Sequence, residues 1–99
     1  MLDIKKNIDG KKLEIVLSGR LDTTTAPMLE ASVKESIEGI ESLVFDFAKL
    51  EYISSAGLRV LLSTQKTMNK QGDMVVKNVS DEVKEIFEVT GFADILTIE

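Results

Sequence analysis

Ninety-nine residues, 43% of them hydrophobic, suffice for one folded unit with its own core and not for two, so residues 1–99 read as one domain. Cysteine and histidine are both absent, which removes disulfides, thiolate nucleophiles, the usual zinc sites, histidine general bases and any Ser-His-Asp triad. A net charge of −5 opposes nonspecific nucleic-acid binding, which needs a clustered excess of Lys and Arg.

Met1 to Lys5 has no basic segment followed by an apolar run, and no stretch approaches the roughly eighteen apolar residues of a membrane span. The expectation is a soluble, cytoplasmic protein. Leu2, Ile4 and Ile8, then Leu13, Ile15 and Leu17, alternate on either side of Asp9-Gly10, which predicts an antiparallel hairpin with one buried face. Lys5, Lys6, Lys11 and Lys12 flank that turn as charges protecting a solvated edge. Ser18 to Asp22 then breaks the second strand. Pro27 suits the first turn of a helix beginning near Ala26, with Leu29, Val33, Ile37 and Ile40 on its apolar side.

Leu43 to Phe47 is nearly continuous in apolar character and predicts a central strand buried on both faces, in which Asp46 requires a partner or solvent. Leu58, Leu61, Leu62, Gln65 and Met68 trace a helix that stops near Asn69, ahead of Gln71-Gly72. Met28 and Met68 are assigned to packing. Met74 to Lys77 is a short strand. Ser80 caps a third helix carrying Val83, Ile86 and Phe87; Gly91 closes it in the left-handed conformation, bringing Phe92 towards Phe87. Ile95 to Ile98 forms the last strand. The fold class is therefore α/β: an N-terminal antiparallel hairpin whose second strand opens a β-α-β-α-β-α-β run, giving a mixed sheet covered by helices.

Function is best sought between the central strand and the second helix, where Tyr52-Ile53-Ser54-Ser55-Ala56-Gly57-Leu58 places small hydroxyl residues at a helix start. The first N–H groups of a helix lack partners within it and its dipole makes that end positive, so a hydroxyl there is suited to carry phosphate. The same residues also read as plain structure, Ser54 or Ser55 as an N-cap and Gly57 as a point of close packing, and local chemistry alone favours the cap. Functional loops of such sheets lie beyond the carboxyl ends of the parallel strands, which is where this segment sits. Asp22 and Thr23 to Thr25 precede the first helix and would rim the same place if the two strand ends are neighbours, since helix capping alone explains one threonine and not three. Asp22, Thr23 and Thr24 are the expected contact residues. Arg59 stands ready to pair with a phosphate or a partner's acid, or is a solvated helix charge.

At these residues the chain resembles the STAS family, the anti-sigma-factor antagonists, in element order from about Leu2 to Ile98. The specific matches are Asp46 followed by Ser54-Ser55-Ala56-Gly57-Leu58, and Gly19-Arg20-Leu21-Asp22 followed by Thr25. Ser54 stands where sigma-regulating members usually have aspartate, and Ala48 where a hydroxyl residue is common; serine replaces the aspartate's hydrogen bonding but not its charge. The resemblance implies a switch with neither catalytic activity nor cofactor. Its unphosphorylated form binds an anti-sigma factor, itself a serine kinase, through a surface including Ser54, Ala56, Gly57 and Leu58, and so releases the sigma factor. Phosphorylation of Ser55 ends that binding, with a serine phosphatase as the expected counterpart. Two other classes are weighed against it. One is a STAS scaffold or accessory subunit of a signalling or transport complex that does not depend on Ser55. The other is a nucleotide-binding enzyme, which lacks a Gly-x-x-x-x-Gly-Lys-(Ser/Thr) segment and a base beside Ser55.

Overall fold

Alternating apolar residues pair Leu2–Asp9 (β1) with Lys12–Leu21 (β2) as an antiparallel hairpin, in register from Leu2 opposite Gly19 to Asp9 opposite Lys12. The computed structural model describes all 99 residues, and the hairpin leads into α1 (Ala26–Ser36), β3 (Ser42–Ile53), α2 (Ser55–Met68), β4 (Asp73–Lys77), α3 (Asp81–Thr90) and β5 (Thr97–Ile98). One turn of 3-10 helix at Phe92–Asp94 precedes β5. The sheet order is β1-β2-β3-β4-β5, and β2 to β5 are parallel.

Each crossover advances one strand in the same direction, and right-handed crossovers of that kind place every helix on one face of the sheet. The burial pattern agrees. Leu13, Ile15 and Leu17 of β2, Leu43, Phe45 and Phe47 of β3, and Met74 and Val76 of β4 are buried, while Glu14, Val16, Ser18, Val44, Asp46, Val75 and Lys77 between them are half-exposed. The expectation that Leu43–Phe47 is buried on both faces is thus corrected, since Val44 and Asp46 look out from an uncovered face. Valine there reflects its fit to a pleated, half-covered strand rather than full burial. Asp46 obtains its partners on that face: its Oδ1 accepts from Ala48 N–H at 3.0 Å and from Asn78 Nδ2 at 3.1 Å. Glu14 and Lys77 pair across the same face at 3.3 Å.

The strands nearest the site are longer than expected. β2 does not end at Ser18 but runs to Leu21, and β3 does not end at Phe47 but runs to Ile53. Pairing steps from Val16/Asp46 to Ser18/Lys49 and from Gly19/Leu50 to Arg20/Tyr52, so β3 takes up one extra residue twice. These bulges shift its buried positions from 43, 45 and 47 to 50 and 53, which hides the period-two pattern. Gly19 is required at this point, because its φ is 101° and a Cβ would run into the Met1 carbonyl oxygen.

Smaller departures have local causes. Helix α1 ends at Ser36, so Ile37 caps it and Ile40 is buried from the following turn rather than from the helix stripe. Ile8, at the turn end of the hairpin, is 56% exposed instead of lying on a buried face. Met68 is fully buried as assigned, whereas Met28 is exposed on α1. The last strand shortens to Thr97–Ile98, with Ile95 exposed and Leu96 turned into the core. Helix α3 follows expectation: Ser80 Oγ accepts from Val83 N–H at 3.3 Å, and Gly91 closes it at φ 82°. Its Phe87 packs on Phe47, which meets Phe45 edge to face, with ring centroids 6.3 and 6.0 Å apart. No helix is long and apolar enough to cross a membrane.

Candidate functional site

The bulged extensions bring two loops together. Leu21 and Ile53 are register partners at the carboxyl ends of β2 and β3, and the Ser54 N–H donates to the Leu21 carbonyl at 2.8 Å. The segment Asp22–Thr25 and the start of α2 therefore share one end of the sheet. Asp22 organises its own loop: Oδ1 accepts from Thr24 N–H and Thr25 N–H, both at 3.0 Å. Thr25 Oγ1 accepts from Asp22 N–H at 2.8 Å and donates to the Arg20 carbonyl at 2.9 Å. Thr25 is buried and structural, whereas Thr23 and Thr24 are exposed.

These bonds hold the Asp22 carboxyl below its ordinary value of 3.8. The Thr25 N–H is the largest cause, opposed by partial desolvation and supported by Thr24 N–H, the Thr25 hydroxyl and nearby Arg20. Asp46 is lowered likewise, first by the Ala48 N–H, then by Asn78 and two lysines, against partial desolvation. A carboxylate whose folded-state pKa lies below its unfolded one contributes stability above the unfolded value and loses it as pH falls through the folded value. The protection of the Thr24 and Thr25 amides, measured as exchange relative to the unstructured-peptide rate at the same pH, is thus expected to be high at neutral pH and to fall once the pH drops below 3.8. In Asp22→Asn the same amides are expected to be less protected than in wild type at neutral pH, with little further change in protection on acidification.

At the start of α2 the two serines take different roles. Ser54 is extended (φ −98°, ψ 175°) and is the N-cap, its Oγ accepting a long hydrogen bond of 3.4 Å from Gly57 N–H. Ser55 is the first helical residue, exposed, and its hydroxyl is engaged by no other group of the chain. Gly57 and Leu58 face inward: Leu58 is buried, and a Cβ on Gly57 would lie 2.7 Å from Leu21 Cγ and 2.9 Å from Ile53 Cγ1. These two residues seat the helix on the sheet and offer little outer surface.

Half-buried Ala56 and exposed Arg59 border a groove of about 220 Å³ between α1 and α2, whose other lining residues are Thr23, Ala26, Pro27, Glu30 and Val60. A second depression continues along the same helix pair and shares Glu30 and Val60 with it. Of the residues singled out from sequence, Thr23, Ala56 and Arg59 meet in this groove. Asp22 and Ser54 organise its end, and Thr24 and Ser55 stand exposed beside it.

Sequence reasoning missed the α1 side of the groove, Pro27 and Glu30, although both follow Thr23 at helical spacing. It also missed the stacking of Arg20 on Tyr52, where the guanidinium carbon lies 4.4 Å from the ring centroid. Both side chains are exposed, and Arg and Tyr are favoured anchors of protein interfaces. Their pairing across β2 and β3 depends on the second bulge, which no local pattern signals. No group of three or more carboxylates is placed to hold a metal ion.

The STAS domain family matches residues 2–99. BtrV of Bordetella bronchiseptica is 38% identical over 93 residues, covering 92% of this chain and 79% of its own length. The anti-sigma-B factor antagonist of Listeria monocytogenes is 31% identical over 101 residues, covering 99% of this chain and 87% of its own. Among solved structures, the anti-sigma factor antagonist SpoIIAA of Bacillus shares the fold at 17% identity. Its unphosphorylated form has a TM-score of 0.78 over 98% of this chain and 87% of that one; its phosphorylated form has 0.77 over 98% and 91%. On this match, and on a fold with one mixed five-stranded sheet and three helices, the chain belongs to the STAS family of anti-sigma-factor antagonists.

Proposed function

We propose that this protein is a non-enzymatic, cytoplasmic switch whose unphosphorylated form binds an anti-sigma factor with serine kinase activity, and whose binding ends when Ser55 is phosphorylated. The observation that carries the reading is the division of labour between the two serines: Ser54 takes the cap, leaving Ser55 as an exposed and unengaged hydroxyl at the first turn of α2. In the transfer, Ser55 Oγ attacks the γ-phosphorus of ATP. An O–P bond forms, the bond to ADP breaks, and the hydroxyl proton passes to a base of the kinase. A serine phosphatase reverses the modification by hydrolysis.

The partner surface is the rim around that hydroxyl: Thr23, Thr24, Ala56 and Arg59, organised from beneath by Asp22 and Ser54 and seated by Gly57 and Leu58. Phosphate adds about −1.5 to −2 charges and three strong acceptors. The start of α2 has no acidic residue to repel it, so this protein's own fold accommodates the group. The cost falls on the complex, where a dianion must be desolvated against a partly apolar rim.

Incubation with the cognate anti-sigma kinase and ATP, followed by tryptic mass spectrometry, is expected to find phosphate on Ser55 and none on Ser54. Phosphate confined to Ser54, or no incorporation at all, would remove this reading.

A further inference from the structure

Arg59 is the one cationic side chain in the first two turns of α2, and it follows Ser55 by four residues. Residues at that spacing are neighbours on a helix surface, and an acid placed N-terminal to a base is the favourable order. Arg59 is exposed and takes part in none of the protein's four salt bridges. The acid lining the same groove from α1, Glu30, lies 4.0 Å from Lys34 on its own helix. The neighbouring Arg20 is already stacked on Tyr52. Arg59 is therefore a cation with no resident anion, one turn from the hydroxyl that receives a phosphate.

We propose that Arg59 is the internal counter-ion of the phosphorylated state, its guanidinium closing on the Ser55 phosphate and withdrawing from the groove it borders with Thr23, Pro27, Glu30 and Val60. The inference rests on the reading of Ser55 as phosphoacceptor. A planar guanidinium binds two phosphate oxygens at once, which a lysine ammonium in its place does not match. Phosphorylation then acts twice on the partner surface: it adds a dianion and removes the cation that the unmodified rim presents. A partner offering a carboxylate to Arg59 meets net negative charge in its place.

The test installs phosphoserine at position 55 by genetic code expansion, so that no kinase is needed, and follows the second ionisation of the phosphate by ³¹P NMR. Three proteins are compared at low ionic strength, with Arg59 intact, with Arg59→Gln and with Arg59→Lys. The helix dipole acts equally on all three. A neighbouring cation favours the dianion, so the phosphate pKa with Arg59 intact is expected about 0.3 unit below that of Arg59→Gln, the scale of an exposed i,i+4 ion pair. Arg59→Lys should retain part of the gap, and added salt should narrow it. Coincident curves for the intact and Arg59→Gln proteins would overturn the counter-ion. Failure of the kinase to label Ser55 in the unmodified protein would instead overturn the acceptor reading on which it rests.

Discussion

Protein carrying phosphate on Ser55 is expected to bind its anti-sigma partner roughly a hundredfold more weakly than unmodified protein, a loss of about 2.7 kcal/mol. Its melting temperature should scarcely change. The two halves of this expectation have different physical origins. Ser55 is exposed and bonded to nothing, so the phosphate displaces no internal contact and meets the unpaired N–H groups of a helix start. In the proposed complex the same group would lie within the contact surface, where leaving a charge desolvated costs several kcal/mol unless the partner supplies a counter-charge. Ser55→Asp carries one charge on a shorter side chain and should fall between the two states, because it imitates only part of the phosphate. Ser55→Ala should bind nearly as well as wild type and accept no phosphate. Titration calorimetry of these four proteins, unmodified, phosphorylated, Ser55→Asp and Ser55→Ala, against the anti-sigma factor decides the matter. Equal affinities for Ser55→Asp and Ser55→Ala would favour a scaffold that does not depend on Ser55.

Which parts of this arrangement are legible in the chain depends on how far each determinant reaches. The third helix is declared by neighbours: Ser80 caps three residues before Val83, and Gly91 ends the apolar stripe, so both boundaries are found from local chemistry. The hairpin is equally local. The uncovered face of the sheet is not, because whether Val44 is covered depends on the direction in which every crossover moves, and no single strand records that. Likewise, the register shifts between β2 and β3 are properties of a pair. Reading β3 alone suggests a strand that stops at Phe47, whereas its partner carries it to Ile53 and sets Tyr52 under Arg20.

The site shows the same division. That hydroxyls stand at a helix start is plain from Ser54-Ser55-Ala56-Gly57, but which serine caps and which is free is a matter of backbone conformation. Gly57 and Leu58 are part of the same motif and lie in the interior, since the motif describes how the helix is seated as much as what it presents. Met28 illustrates the converse, a residue assigned to packing by type and exposed on α1 beyond the cover of its neighbours.

Gly57→Ala should reverse the usual sign of its substitution class. In a helix interior, replacing glycine by alanine ordinarily stabilises by about 1 kcal/mol, because alanine loses less backbone entropy and keeps the best helix propensity. Here the new methyl would lie 2.7 Å from Leu21 Cγ and 3.0 Å from Leu21 Cδ2, and 2.9 Å from Ile53 Cγ1. Neither neighbour is a flexible chain end: Leu21 and Ile53 are buried side chains at the ends of β2 and β3, and the contact at Cγ is with a branch point. Relief requires α2 to lift from the sheet at its first turn, and overpacking of this kind costs about 1–3 kcal/mol. The melting temperature is expected to fall by about 10 °C, since 1 kcal/mol corresponds to roughly 4–8 °C in a domain of this size. Because Ser54 and Ser55 ride on that turn, partner affinity should fall with it, unlike the effect of an equally destabilising change remote from the site. Leu21→Ala removes two of the three obstructing atoms, Cγ and Cδ2, so the double variant should be less destabilised than the sum of the single ones. Additive losses, or a Gly57→Ala protein more stable than wild type, would show that this glycine is not held by the contact with Leu21 and that α2 is seated by other means.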